Sequence, residues 1–292
     1  MLASSLRDYG PFLDALAGLS WPARRPVGAG SAGSHPSRLR GMAADFTEYR
    51  PYRFGDDPRR LDWKLLARTD RAYLRLTDDN ATRSTLILVD ASASLAFPFE
   101  TMAKWRQACR LAVGLASVAQ HDGDPAGLVV AHERGTVRLP PRSRAGTIPE
   151  MARALDAVAP SGSAPLSPAL EQVRAGWRLV LISDFLSDEL ELLPLVRQRI
   201  VAGAEVFAVQ VVSEGELRPV PTTRLAVDPE APAVRRVLQP DTLPEYTKRF
   251  ADWRAGLRRA WRHAGAEFTE VLAEEEPVRA IRRIVAGVED TR

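Results

Sequence analysis

Thr85-Leu-Ile-Leu-Val-Asp90-Ala-Ser92-Ala-Ser94 is the stretch on which the fold turns. Leu86 to Val89 run apolar without alternation and stop at a carboxylate. An apolar run of that length suits a strand covered on both faces, as in a parallel sheet between helices. Leu179-Val-Leu-Ile-Ser-Asp184 repeats the pattern, again ending in Asp. Between them lie helical periodicity over 102–120, a strand over 127–131 with 136–139 returning beside it, and helices over 148–158 and 165–176. Beyond them follow a helix over 190–202, a strand over 205–212 and a proline-rich stretch of short β-like pieces over 216–242. A helix over 244–264, a strand over 267–272 and a final helix over 277–288 complete the chain. Strands alternating with helices predict an α/β domain over residues 84–292, doubly wound, with a mostly parallel sheet flanked by helices. Residues 1–83 read as an N-terminal extension. It has a short amphipathic helix over 6–19, a Pro-, Gly-, Ser- and Arg-rich loop over 21–41, and a densely charged segment over 45–68.

Bulk properties narrow the function classes. The 292 residues are 45 % hydrophobic and 26 % charged, values that support a real core. A net charge of +3 is too small to indicate a nucleic-acid partner. Nearly all the cations are Arg; Lys occurs only at 64, 104 and 248. Cys109 is the single cysteine, so an intramolecular disulfide is excluded, and its apolar helical setting reads as a buried inert thiol. The first residues carry Asp8 and Asp14 and lack the pattern of a secretory leader. No window approaches the roughly 18 apolar residues of a membrane span. The expected location is therefore cytoplasmic. Gly28-Ala-Gly30-Ser-Ala-Gly33 neither follows a strand nor opens a helix, so it does not read as a nucleotide site. His35 stands without a visible nucleophile.

The chemistry concentrates after the first strand. In a parallel α/β sheet the carboxyl ends of the strands open into the crevice where ligands bind. Asp90, Ser92 and Ser94 are spaced two apart, so one carboxylate and two hydroxyls can point into a single tight loop. Such oxygens suit a hard divalent cation, Mg²⁺ or a similar ion. Asp184 would face the same volume if the two strands are neighbours, and two carboxylates there repel unless a cation lies between them.

Asp-x-Ser-x-Ser after a strand resembles the metal-ion-dependent adhesion site of von Willebrand factor type A domains. That resemblance implies Asp90, Ser92, Ser94 and Asp184 as metal ligands, direct or through water, completed by an acidic side chain of a partner. The family pattern also asks for a Thr in the loop before the helix that precedes the Asp184 strand. Here Ala164 stands at that position and Ser163, one residue away, carries the nearest hydroxyl. The alternative is a metal-free loop whose serines cap the next helix.

A longer resemblance lies upstream. Tyr52, Gly55, Asp56, Asp57, Arg59, Asp62, Trp63, Ala67 and Arg68 match the Tyr-x-x-Gly-Asp-Asp-x-Arg-x-x-Asp-Trp-x-x-x-Ala-Arg hallmark of the bacterial family of unknown function numbered fifty-eight. Its members place this segment ahead of an A-type domain. The resemblance implies a non-enzymatic interaction module, an adaptor or chaperone component working with a MoxR-type AAA+ ATPase on a client protein. As a physical pattern, the hallmark alternates acids and bases around Trp63. This predicts ion pairs that clamp the segment onto the domain with Trp63 at least half buried; the other reading makes Asp62, Trp63 and Arg68 anchors of a docking face. A metal-assisted hydrolase using Asp90 and Asp184 is the enzymatic alternative.

Overall fold

Each long apolar run becomes a strand, and the polar residue that ends it marks the sheet edge. The structure is a computed structural model, described here for residues 9–23, 32–53, 61–171, 173–186, 189–220, 225–230, 233–237 and 240–287. In chain order the elements begin with α1 (Gly10–Asp14), β1 (Ala32–Pro51), α2 (Trp63–Thr69), β2 (Tyr73–Ala81), β3 (Thr85–Asp90) and α3 (Ala103–His121). There follow β4 (Ala126–His132), β5 (Gly135–Arg142), α4 (Thr147–Asp156), α5 (Ser167–Leu170), β6 (Arg178–Ser183) and α6 (Glu189–Val201). The chain closes with β7 (Glu205–Val212), α7 (Glu214–Leu217), β8 (Leu225–Val227), β9 (Arg235–Val237), α8 (Leu243–His263), β10 (Glu267–Leu272) and α9 (Pro277–Ala286).

Six strands form one sheet in the order β10-β7-β6-β3-β4-β5, parallel except for β5, which returns antiparallel along β4. The expected α/β architecture is therefore present, with β3 and β6 side by side. All six residues of β3, and likewise of β6, are buried. Alternate side chains of β3 feed opposite faces: Ile87 and Val89 join a core with α3, α4 and α9, whereas Leu86 and Leu88 join one with α5, α6 and α8. Cys109 lies buried in the first of these cores, as a structural thiol would.

The edge strand β5 reads Gly-Thr-Val-Arg-Leu-Pro-Pro-Arg and alternates between exposed and partly covered residues. Its register slips between the pairings of Ala126 and Leu128. At the slip, a Cβ on Gly127 would come within 2.7 Å of the Pro141 backbone nitrogen. Glycine in the middle of β4 is thus a close-approach requirement rather than a weak strand signal.

Two local expectations are corrected. Residues 32–41 are not loop; they belong to β1, which pairs antiparallel with β2. Backbone pairing to a distant segment overrides the local Pro and Gly signals, and the pairing slips at four places along β1. Among the described residues of the helix expected over 165–176, only Ser167–Leu170 is helical. Gly176 at φ +77° ends the stretch in a turn.

The tryptophan that fastens the N-terminal extension is Trp21 and not Trp63. Trp63 is 63 % exposed, which corrects the expectation that it is at least half buried. Trp21 is 0 % exposed, meets Phe207 edge-on at 5.1 Å and lies under the Arg178 guanidinium at 4.2 Å. Its backbone N–H donates to Asp122, and its carbonyl accepts from Arg178 Nη2 at 2.9 Å. Arg178 is itself buried between Asp124 (3.5 Å) and Glu205 (3.7 Å). Burial lowers its pKa to about 10 against the pull of those carboxylates. Ahead of Trp21, Leu16 is fully buried and Phe12 packs on the same core, beside the α3–α9 contact. Trp21→Ala is expected to cost about 3–5 kcal/mol, the range for a core aromatic truncation, whereas Trp63→Ala should stay within about 0.5 kcal/mol. Chemical melts of the two variants check this, and equal midpoints would contradict it.

Candidate functional site

The in-register pairing of β3 with β6 places Val89 opposite Ile182, so the residues that follow each strand emerge together. Asp90, Ser92, Ser94, Ser183 and Asp184 are all at most 4 % exposed. Asp90 accepts from the Ser92 backbone N–H at 2.7 Å and from Ser183 Oγ at 2.6 Å. The hydroxyls of Ser92 and Ser94 lie 3.0 Å apart. Neither caps a helix: the short 3₁₀ turn Ala93–Ala96 has Ser92 at its N-cap position without a side-chain cap, and the N-cap of α3 is Met102. The serines are therefore held facing each other in a buried loop.

Asp184 is positioned by a strained turn. Phe185 adopts φ +56°, a left-handed conformation uncommon for a bulky residue. Its ring, 1 % exposed, packs on Trp261 at 4.8 Å. Its N–H donates to Ser183 Oγ at 2.9 Å, the same hydroxyl that donates to Asp90. Ring packing thus stabilises the turn that carries Asp184 beside Asp90.

The segment 161–164 joins the same edge. Ser161 N donates to the Ala91 carbonyl at 3.0 Å, and Ala93 N donates to that of Gly162 at 2.9 Å. Ala164 is 3 % exposed and sits among apolar side chains, offering only a methyl. Ser163 is exposed, and among the described residues its hydroxyl makes no hydrogen bond to the Asp90 loop.

Besides Ser183, three participants were not singled out from the sequence. Lys104, 0 % exposed in the first turn of α3, donates to Asp184 Oδ2 at 2.6 Å and to Glu216 Oε1 at 2.9 Å. Burial disfavours its charge, but Asp184 and Glu216 outweigh that and raise its pKa. Glu216 is fixed by α7, where it closes a capping box with Ser213, and Ser213 Oγ in turn donates to Glu274 at 2.7 Å. Glu230, between β8 and β9, accepts from Ser94 Oγ at 3.4 Å. The one signal in the sequence was that Lys104 is a lysine in an Arg-dominated chain, just after the loop.

The hallmark residues stand elsewhere. Asp62 caps α2, accepting from Lys64 N at 3.0 Å and Leu65 N at 2.9 Å, a structural role that suits an N-cap aspartate. Arg68 is exposed in the last turn of that helix. Asp56, Asp57 and Arg59 lie outside the described residues.

The donor chemistry at Asp90, Ser92 and Ser94 is entirely hard oxygen, which fits Mg²⁺ or Mn²⁺ and not a soft metal. Among the described residues, no three His, Cys, Asp or Glu side chains are placed to share one ion. Any cation here would rest on a mixed set of carboxylate and hydroxyl oxygens. Burial, and secondly the Asp184 carboxylate, push Asp90 up from 3.8 to about 7 against the bonds from Ser183 and Ser92. A carboxyl raised in this way favours the folded state at low pH, and that advantage is lost as pH rises from about 4 to about 7. In chelator, Asp90→Asn should therefore gain stability over the parent across that window, reaching on the order of 1–4 kcal/mol above pH 7. Melts of both proteins between about pH 4 and pH 8 test this; a pH-independent difference would contradict the buried carboxyl.

The chain is 28 % identical over 264 residues to uncharacterized proteins of Mycobacterium bovis and Mycobacterium tuberculosis, covering 87 % of this chain and 83 % of each of those. Among solved structures it is similar to the conserved hypothetical protein BatB from Bacteroides thetaiotaomicron, with TM-score 0.46 and 17 % identity over 70 % of this chain and 97 % of that one. It is also similar to the SpRpn10 VWA domain, with TM-score 0.38 and 12 % identity over 69 % and 94 %. A third similarity is to the manganese-loaded TRAP protein of Plasmodium vivax, with TM-score 0.37 and 14 % identity over 44 % and 57 %. No helix of the described residues is long and apolar enough to cross a membrane. Residues 48–255 match the family model described as "Protein of unknown function DUF58", and the chain belongs to that family.

Proposed function

We propose that this protein is a non-enzymatic interaction module, an adaptor or chaperone component for a MoxR-type AAA+ ATPase and its client. In this reading it grips an acidic side chain of its partner through a divalent cation at the Asp90 loop. The observation that carries the reading is the pair of buried serine hydroxyls, 3.0 Å apart and free of capping duty, beside a buried carboxyl. Asp90 would hold the ion directly or through water, Ser92 and Ser94 would give hydroxyl oxygens, and Asp184 would act through water because its Oδ2 is committed to Lys104. That commitment also favours binding over hydrolysis, since it removes the second carboxylate as a free base. A bound cation would supply a positive centre that a partner carboxylate can complete. The rim suits a protein surface: Phe99 and Leu186, on the segments that follow Ser94 and Asp184, are 61 % and 49 % exposed. Exposed aromatic and aliphatic groups around a polar centre provide the burial that a single ionic contact lacks.

Calorimetric titration of metal-stripped protein with Mg²⁺ or Mn²⁺ should show one site. Asp90→Ala should abolish it, and Asp184→Ala should weaken it less. A complex with the ATPase should dissociate in chelator. A complex that survives chelator would move partner binding to another surface, the Asp62–Arg68 helix included. Lys104→Met, which leaves Asp184 and Glu216 buried without their ammonium, should destabilise the fold by about 3–5 kcal/mol. A melt unchanged by that substitution would contradict the buried ion pair.

A further inference from the structure

An acid stands where acids are already in excess. Asp90, Asp184, Glu216 and Glu230 converge on this edge of the sheet, and Lys104 is the ammonium set among them, spent on Asp184 and Glu216. Glu230 arrives from the β8–β9 segment, 136 residues beyond the serine it touches. Its position is organised: its backbone N–H donates to Asp228 Oδ1 at 2.9 Å, and its Oε1 reaches Ser94 Oγ at 3.4 Å. It thereby meets Ser94 Oγ, which lies 3.0 Å from Ser92 Oγ, the two oxygens assigned above to a cation. Bringing a further carboxylate to this loop is unfavourable unless positive charge is shared there. Ala164, at the position where the von Willebrand A pattern asks for Thr, offers only a buried methyl.

We propose that Glu230 is a direct oxygen ligand of the divalent cation at Asp90, Ser92 and Ser94, supplying from the β8–β9 segment the donor that Ala164 does not. The proposal rests on the cation reading of the loop and adds to it a residue outside the Asp-x-Ser-x-Ser pattern. A carboxylate in place of a neutral hydroxyl raises the ligand charge, which tightens binding of a hard cation. It also ties the β8–β9 segment to the metal, so that loading the site should order that segment against the loop.

The test is Mn²⁺ alone, titrated into the metal-stripped full chain and followed by calorimetry and by electron paramagnetic resonance. The parent should bind one Mn²⁺. Glu230→Gln, nearly isosteric but neutral, should weaken that binding by roughly tenfold or more. The bound ion should also gain a coordinated water, read from water-proton relaxation. Ala164→Thr in the Glu230→Gln background should recover much of the loss by restoring a hydroxyl from the other side. In chelator, Glu230→Gln should melt no lower than the parent, because it removes an acid from an acidic pocket; that control separates ligation from folding. Equal Mn²⁺ affinity in parent and Glu230→Gln would overturn the role of Glu230 and leave the cation reading standing. A parent that binds no Mn²⁺ would overturn both.

Discussion

The register of β3 against β6 is the constraint from which the site follows. Two parallel strands paired Thr85 to Arg178 through Val89 to Ile182 deliver Asp90 and Ser183–Asp184 to the same edge. A slip of one residue would turn Ile87 and Val89 away from one core and Leu86 and Leu88 away from the other, so the hydrophobic pattern itself enforces the juxtaposition. Apolar burial across two helical layers thereby holds together carboxylates that repel each other. The protein answers that repulsion with Ser183, which donates to Asp90, and with Lys104, which neutralises Asp184.

The two ends of the sheet solve the same electrostatic problem differently. At the amino end, Arg178 lies over Trp21 between Asp124 and Glu205, and Arg83 approaches Glu205 at 3.6 Å. There the charges are matched by guanidinium groups and sealed by the N-terminal segment. At the carboxyl end, the Lys104 ammonium is committed to Asp184 and Glu216, and among the described residues no ammonium is paired with Asp90 or Glu230. A matched network under a hydrophobic cover stabilises; an unmatched one at a loop edge is prepared to receive charge. This contrast distinguishes the two ends of the sheet.

Most of the α/β domain was legible because its central strands are mostly apolar runs; β7, for example, falls at Glu205–Val212 as read. Asp90, Ser92, Ser94 and Asp184 were legible for the same reason, each lying just past such a run. What was not legible depended on long-range partners. Lys104 looks in sequence like any cation in an amphipathic helix, and only the fold turns it onto Asp184. Glu230 lies in a proline-rich stretch whose local signals say nothing about its target. The expectation of a buried Trp63 rested on the alternating charges around it, which say nothing about a hydrophobic partner. Trp21 begins a stretch of loop-like composition, yet it fills the gap beside Phe207. The paired β1 was missed because its composition is that of a loop, and strand pairing is a property of two segments rather than one.

The edge strand β5 has one more consequence. Pro140 and Pro141 have no N–H to offer, and Arg138 and Arg142 place cations along the same short strand. A flat, unpaired edge invites another chain to continue the sheet; one interrupted by prolines and arginines resists it. Extension of the sheet by a partner's backbone is thereby disfavoured on this side, as is self-assembly of copies through it, so recognition here must depend on side chains and not on borrowed strands.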